Sequence, residues 1–291
     1  MTPITPELYA AVAEIAVREA GLHLPESRQA FVLSRLQRRL RHQNMRDFAA
    51  YVTLLRSATE SGSAERDAFV SALTTNVTEV FREPHHFELL AEHLDRWRVD
   101  RLTESSRFRI WSAGCASGEE PLSIAATCRA VLGPTWRASV RILATDVDRA
   151  MIDRASGRGR TIDPVMSARL GQLPDGVMAY ARQGSDVARQ GTDDLQKGVT
   201  FVQHNLLHPL PCPEAFDVIF CRNVTIYFSP EAQAEVHARL RGRLAPGGLL
   251  AIGHSERLHD HRPDLAAVGR TAFRKSEAPP HRPRAEPRLC C

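Results

Sequence analysis

Several things are scarce in this 291-residue chain, and each scarcity closes a class of function. No apolar run approaches the ~18 residues that a bilayer-spanning helix needs. The start, with Pro3, Pro6 and Glu7, lacks the basic-then-apolar pattern of an export signal. The expectation is a cytoplasmic protein with no direct membrane insertion. The six cysteines form no C-x-x-C pair, so reduced thiols are expected rather than a zinc ribbon or a dithiol redox site. Aromatic residues make up 6% of the chain and form no stacking platform among the arginines clustered between Glu26 and Asp47, which disfavours a nucleic-acid partner. Thirty-eight basic against 34 acidic residues give a formal charge of +4, too even for global binding to a polyanion; an acidic partner has to be met by a local patch. Lysine is confined to Lys197 and Lys275, and the arginines that make up the rest suit planar contacts with carboxylates.

What is present divides near residue 107. Before it, the apolar spacing is helical. Thr5-Pro6-Glu7 reads as a cap with proline at the first helical position, followed by Leu8, Val12 and Ile15 and a stop at Gly21. A second helix starts at Pro25-Glu26, where Val32, Leu33, Leu36 and Leu40 form an apolar stripe and Arg28, Arg35, Arg38, Arg39 and His42 recur on the other side. Two more helices are expected, at Asp47 to Arg56 and from about Ala64 to Leu73. After residue 107, short apolar runs alternate with helical stretches, the pattern of a parallel sheet covered on both faces. Strands are expected at Phe108 to Ser112, Val140 to Thr145, Val199 to Gln203, Phe216 to Cys221, Leu249 to Gly253 and Thr271 to Arg274. Helices are expected at Glu119 to Val131, Arg149 to Ser156 and Pro230 to Leu244. The stretch Gly157 to Gly198 is too long for an ordinary strand-to-helix connection and reads either as an inserted subdomain or as a floppy excursion. The end of the chain, with four prolines in its last sixteen residues and little to bury, reads as disordered.

The loop "WSAGCASGEEPLS", Trp111 to Ser123, has the layout of a nucleotide-binding first turn, with Gly114 and Gly118 between a strand and a helix. It is neither G-x-G-x-x-G nor a P-loop. A pyrophosphate at a helix N-terminus seeks amides and positive dipole, and Glu119 and Glu120 would repel it. A cationic or neutral ligand fits better, and S-adenosylmethionine (SAM) has a sulfonium and an ammonium but no phosphate. "ILATDVD" ends its strand in Asp146, a carboxylate placed to hold ribose hydroxyls. That acid alone does not separate SAM from NAD; the missing glycine pattern favours SAM. "FDVIFCRNVTIYF", Phe216 to Phe228, brings Arg222, Asn223 and Tyr227 to the end of another strand, and "TTNVTEVFREPHHF", Thr74 to Phe87, sets Asn76 and Thr78 beside Arg82. No metal is expected at His85-His86, because adjacent side chains point apart and no further ligands lie nearby in sequence.

Together with "HNLLHPLP" and "LAPGGLLAIGHSE", these motifs resemble, in family order over roughly residues 5 to 275, the CheR family of SAM-dependent chemoreceptor glutamate O-methyltransferases. The resemblance implies an α/β fold: a Rossmann-like SAM-dependent methyltransferase domain with a mixed, mostly parallel sheet, an all-helical N-terminal domain and a small inserted β-subdomain. On that basis residues 1–80 are the helical domain, 81–106 a linker and first helix, 107–276 the SAM-binding domain with its insert at about 160–198, and 277–291 a disordered tail. It further implies that Arg82 and Tyr227 work beside the transferred methyl group. Asn76, Thr78, Arg82, Glu120, Asp146, Asn205, Leu206, Arg222 and Asn223 would surround the cofactor. The substrate would be the cytoplasmic helical domain of a bacterial chemoreceptor, met by Arg35, Arg38, Arg39 and His42, with the enzyme acting as a monomer. Three positions, Val80, Leu122 and Thr225, depart from the family's usual residues. Two other functions stay open from the residues alone: a methyltransferase of the same fold acting on a small molecule or nucleic acid, and a non-catalytic module that binds SAM or its product. An NAD-dependent dehydrogenase is disfavoured by the loop.

Overall fold

The computed structural model describes residues 4–100, 107–157, 164–181, 193–258 and 264–277. Four helices come first: α1 (Pro6–Ala20), α2 (Gln29–His42), α3 (Phe48–Arg56) and α4 (Glu60–Leu73). Thr5 caps α1 by accepting from the Leu8 amide, and Gly21 ends it in the left-handed conformation at φ 71°. The helix α4 begins four residues earlier than its apolar spacing implies, because the Thr59 hydroxyl accepts from the Gly62 amide and starts the helix ahead of its first apolar residue. These helices share a core of their own, in which Val12, Ile15, Val32, Leu36, Leu40, Tyr51, Leu55 and Phe69 are fully buried.

After α5 (His85–Asp100) the α/β part follows: β1 (Phe108–Ala113), α6 (Glu119–Leu132), β2 (Val140–Asp146), α7 (Arg149–Ala155), α8 (Pro164–Leu170), α9 (Asp175–Met178), α10 (Asp193–Gln196), β3 (Val199–Gln203), β4 (Phe216–Cys221), α11 (Pro230–Arg243), β5 (Leu244–Ile252), β6 (Leu265–Gly269) and β7 (Ala272–Lys275). The sheet order is β3-β2-β1-β4-β5-β7-β6. The first five strands are parallel and the last two pair antiparallel. Chain order reverses between β1 and β4, and in such sheets the crevice beyond the strands' carboxyl ends at that point is where ligands bind.

Two features go beyond what the sequence pattern predicts. The elements described within the insert are all helices. Pro164 and Pro174 each start a short helix, and Leu170, Val177 and Leu195 are fully buried in the main core with α6. Apolar side chains at Met166 and Leu170 lie four apart, a helical spacing. No strand of a β-subdomain occurs among the described residues of the insert; 158–163 and 182–192 lie outside them, as do 278–291 of the expected tail with Cys290 and Cys291. The edge strand β6 was not expected either. Its sequence, Leu-Ala-Ala-Val-Gly, is mostly exposed and has no alternating pattern to betray it.

Candidate active site at the carboxyl edge of the sheet

A cleft opens at the switch point, between the carboxyl ends of the strands and the helical unit above them. Its open volume is about 880 Å³ including the solvent-filled mouth, within the range of small-ligand sites. Asn76, Thr78, Arg82, Glu120, Asp146, Asn205, Leu206, Arg222, Asn223 and Tyr227 all line it. Residues as far apart in the chain as Asn76 and Tyr227 thus share one wall. Ala20, Leu22 and Thr74 to Glu79 contribute the helical side, so the cleft is closed only when both units are in place.

The glycines of the first turn are there for space as well as conformation. Gly114, at φ 89°, faces Val224, and a Cβ on it would come within 2.2 Å of that side chain; Gly118, at φ 103°, presses on Ala155. Between them Ala116 is left-handed, with φ 46°. Its amide donates to Asp146 Oδ2 at 2.8 Å, while Asp146 Oδ1 accepts from the Asp148 amide at 2.9 Å. Burial pushes the Asp146 carboxyl above its ordinary range, with these amides opposing it. The neighbouring Cys115 thiol is likewise pushed well up, by burial and by Asp146.

Glu120 occupies the first turn of α6, behind the glycine loop. Ser112 Oγ donates to one of its oxygens at 2.7 Å and Arg222 Nη1 to the other at 3.2 Å. Burial still raises its carboxyl above the usual glutamate value, although Arg222 pulls the other way. Arg222 is itself buried. Its second Nη donates to the Arg82 carbonyl, Glu83 lies 3.7 Å away, and the guanidinium rests on the Phe87 ring. Arg82 sits between two left-handed residues, Phe81 at φ 53° and Glu83 at φ 55°. Non-glycine residues in that region are strained and need surrounding contacts to hold them. The Phe81 amide bonds to Ser123 Oγ, and Glu83 accepts from both the backbone and the ring of His254. The Arg82 side chain bends back to the Val77 carbonyl at 3.1 Å.

Some side chains at the cleft are already occupied within the protein. Asn76 donates to Asp148 Oδ2 at 2.7 Å, and Asp148 also accepts from Ser71 and Thr74. Asp148, fully buried, therefore ties the end of the helical unit to the loop after β2. Asn205 donates to the Glu19 carbonyl and accepts from the Leu207 amide, a second tie to α1. Tyr227 completes the rim from a 3-10 turn, Thr225–Tyr227; its carbonyl accepts from the His23 amide and its ring lies under Arg28, 5.5 Å from the guanidinium carbon. Asp148, His204 and Glu256 also shape the site, and their sequence context assigns them no role in it. The first stood in a helix-capping position within "ATDVD", a local signal that was available. His204 lines the cleft with Nε2 unpartnered, and burial lowers its pKa.

The four residues assigned to a substrate-binding face divide. Arg38 and His42 are exposed on α2, and Arg35 is half-buried, stacked on Phe31 and donating to the Ala72 carbonyl. Arg39 turns away and forms a bidentate pair with Glu65, so it does not belong to an outward patch. The paired histidines do not point apart as expected: their rings converge, 4.1 Å apart, and with Glu83 they form a group whose ligand atoms lie within 4.8 Å of one another. The Arg222 guanidinium 3.7 Å from Glu83 disfavours a cation there. Burial and that same arginine depress His86 to a pKa of about 3, and both rings set Nε2 against the Arg270 carbonyl. The pair braces α5 against the turn before β7.

Two family models match end to end around this cleft. Residues 7–74 match the CheR methyltransferase all-alpha domain and residues 76–273 the CheR methyltransferase SAM binding domain. The chain is 35% identical over 267 residues to the chemotaxis protein methyltransferase of Escherichia coli K12, covering 91% of this chain and 90% of that one. It is 37% identical over 274 residues to chemotaxis protein methyltransferase 2 of Pseudomonas aeruginosa PAO1, covering 92% and 93%. A probable chemotaxis protein methyltransferase of Rhizobium etli is 37% identical over 243 residues, covering 82% and 88%. The chain belongs to the CheR methyltransferase family and is a SAM-dependent methyltransferase of chemotaxis.

Proposed function

We propose that the cleft holds SAM with its methionine end toward Glu120 and its ribose toward Asp146, and that the enzyme esterifies glutamate side chains on the cytoplasmic helices of a chemoreceptor. The observation that carries this reading is the convergence of Arg82 and Tyr227 with two buried carboxylates on one cavity. The residues suit the ligand. Two buried acids favour an ammonium and ribose hydroxyls over a phosphate, and Asn223 Oδ1 and His204 Nε2, without a partner among the described residues, offer further polar contacts. Leu206 and Val224 supply apolar surface. Asn76, Asn205 and Arg222 act mainly by holding those walls, since their side chains are engaged elsewhere in the protein.

When bound, SAM supplies an activated methyl group on a sulfonium. The acceptor needs no general base, because a glutamate side chain, with a reference pKa of about 4.3, is already ionised at neutral pH. The protein's part is orientation. Arg82 and Tyr227 hold the incoming carboxylate at the cleft's rim, and a hydroxyl shared with a guanidinium does so without a tight ion pair that would blunt the nucleophile. Arg38, His42 and the partly free Arg35 steer the acidic helix toward that rim.

Incubation with methyl-labelled SAM and receptor cytoplasmic domains tests the reading, scored as base-labile methyl ester. Arg82→Ala and Tyr227→Phe should each lower turnover by about ten- to a hundredfold, the range expected when a reacting group loses its alignment. Wild-type rates in both variants, or label that survives mild base, would overturn it.

A further inference from the structure

Glu256 lies just past β5 in the "GHSE" stretch, is 5% exposed, and is not among the residues lining the cleft. It nevertheless accepts five hydrogen bonds. Oε1 receives the amides of Val224 at 3.0 Å and Thr225 at 2.7 Å, and the Thr225 hydroxyl at 2.8 Å. Oε2 receives the amides of Asn223 at 2.9 Å and Gly253 at 2.6 Å. Three consecutive backbone N–H groups thus converge on one carboxylate, the arrangement of an anion-binding nest with the anion supplied by the chain itself.

The loop so gripped runs from β4 to Tyr227. Its first gripped residue, Asn223, is left-handed at φ 59°, a conformation that needs outside support. Gly253 presses against it so closely that a Cβ there would lie 2.6 Å from Asn223 Nδ2. At the far end the Tyr227 carbonyl is held by the His23 amide. Tyr227 is therefore clamped from two sides, by Glu256 through the turn that carries it and by the helical unit.

We propose that Glu256 is a positioning residue that sets the height and angle of Tyr227 at the cleft's rim; this rests on the reading that Tyr227 orients the substrate carboxylate. The chemistry requires a carboxylate. Five donors point at its two oxygens, and a carboxamide would turn its own NH₂ toward at least one amide N–H, leaving that donor buried and unpaired. The turn then has to shift. The Thr225 hydroxyl adds a bond beyond the backbone amides and tightens the grip.

The test is a double-mutant cycle between Glu256→Gln and Tyr227→Phe, with turnover read as base-labile methyl ester and folding checked by thermal melting. Glu256→Gln should lower kcat by about ten- to a hundredfold, and that loss should disappear when Tyr227 is already phenylalanine. Should Glu256→Gln fail to fold, Glu256→Asp, which keeps the charge but withdraws both oxygens by one methylene, should give a smaller loss that vanishes in the same background. Losses that multiply in the double variant, with Tyr227→Phe itself impaired, overturn the proposal and leave the role of Tyr227 standing. Wild-type turnover in Tyr227→Phe overturns that role and the proposal with it.

Discussion

Two buried glutamates, one in each unit, show how similar chemistry serves different ends. Glu65, in the helical unit, is 1% exposed and accepts from both arms of Arg39, from the Tyr51 hydroxyl at 2.7 Å and from Gln43. Burial alone would raise its carboxyl, yet Arg39, Tyr51 and Gln43 together hold it below the ordinary value. Glu120, at the cleft, has Ser112 and Arg222, and there burial prevails and the carboxyl is raised. Glu65 is saturated and has nothing left to give a ligand. Glu120 is under-compensated, and on the proposed reading the missing positive charge arrives with the cofactor. An acid left short of partners beside a cavity is a candidate for function in a way that a fully paired one is not.

The comparison breaks most easily at Glu65. Replacing it with alanine strands Arg39, Tyr51 and Gln43 around an apolar hole. Losing one side of a buried pair costs about 3 kcal/mol or more, the low end being apt because the Arg39 side chain is 20% exposed and can reach solvent. Chemical denaturation should show that loss, while calorimetry on the folded fraction should find unchanged SAM affinity. The sign of the pH effect follows from the lowered folded pKa. The stabilisation from Glu65 is present above its ordinary value and is lost as pH falls through the depressed one, so acid unfolding should weaken in the variant's pH profile relative to wild type. A fall in SAM affinity equal to the loss of stability would erase the distinction between the two sites.

Much of the fold could be read from the chain because its signals are local. Strands β1, β2, β4 and β5 are apolar runs inside the sheet, and the glycine loop, the acid ending β2 and the polar end of β4 sit next to them in sequence. The ties that shape the cleft are not local. Asp148 meets Ser71 and Asn76 across 77 and 72 residues, and Glu256 reaches the Thr225 amide across 31. A side chain bonded to backbone amides leaves no trace in the identity of its partners, so nothing at residues 223 to 225 announces Glu256. Arg39 is set apart from its outward neighbours by a tie that is likewise non-local. Its spacing on α2 is right for the exposed stripe, but Glu65, distant in sequence, claims it.

Glu120→Gln sharpens the comparison from the other side. The carboxamide still accepts from Ser112, and Arg222 keeps Glu83 as a nearby anion, so the melting temperature should fall less than in Glu65→Ala. SAM affinity should drop about tenfold, or about 1.4 kcal/mol, a typical worth for a hydrogen bond to a charged group. The wild-type raised pKa adds a second readout. Glu120 is ionised above that value and becomes neutral as pH falls through it. SAM affinity should therefore decline at a higher pH than an ordinary glutamate would cause, and Glu120→Gln should flatten that limb. Parallel pH curves for the two proteins, measured by calorimetry, would remove Glu120 from the cation-binding role.

The smallest expected effect separates the two arginines that lie side by side on α2. Arg38 is exposed and has no paired acid among the described residues, whereas Arg39 is committed to Glu65. Arg38→Glu should therefore leave melting and SAM binding unchanged and slow receptor methylation several-fold, because a rim charge acts chiefly on the association rate. The deficit should shrink as salt rises, since exposed charges farther apart than the Debye length, about 8 Å at physiological ionic strength, are largely screened. Arg39→Glu should do the reverse, placing a second carboxylate against buried Glu65 and destabilising the helical unit before any effect on the receptor can be read. Equal methylation by wild type and Arg38→Glu across the salt series would mean that this stripe of α2 is only a solvated face, and that the acidic helix is met elsewhere on the rim.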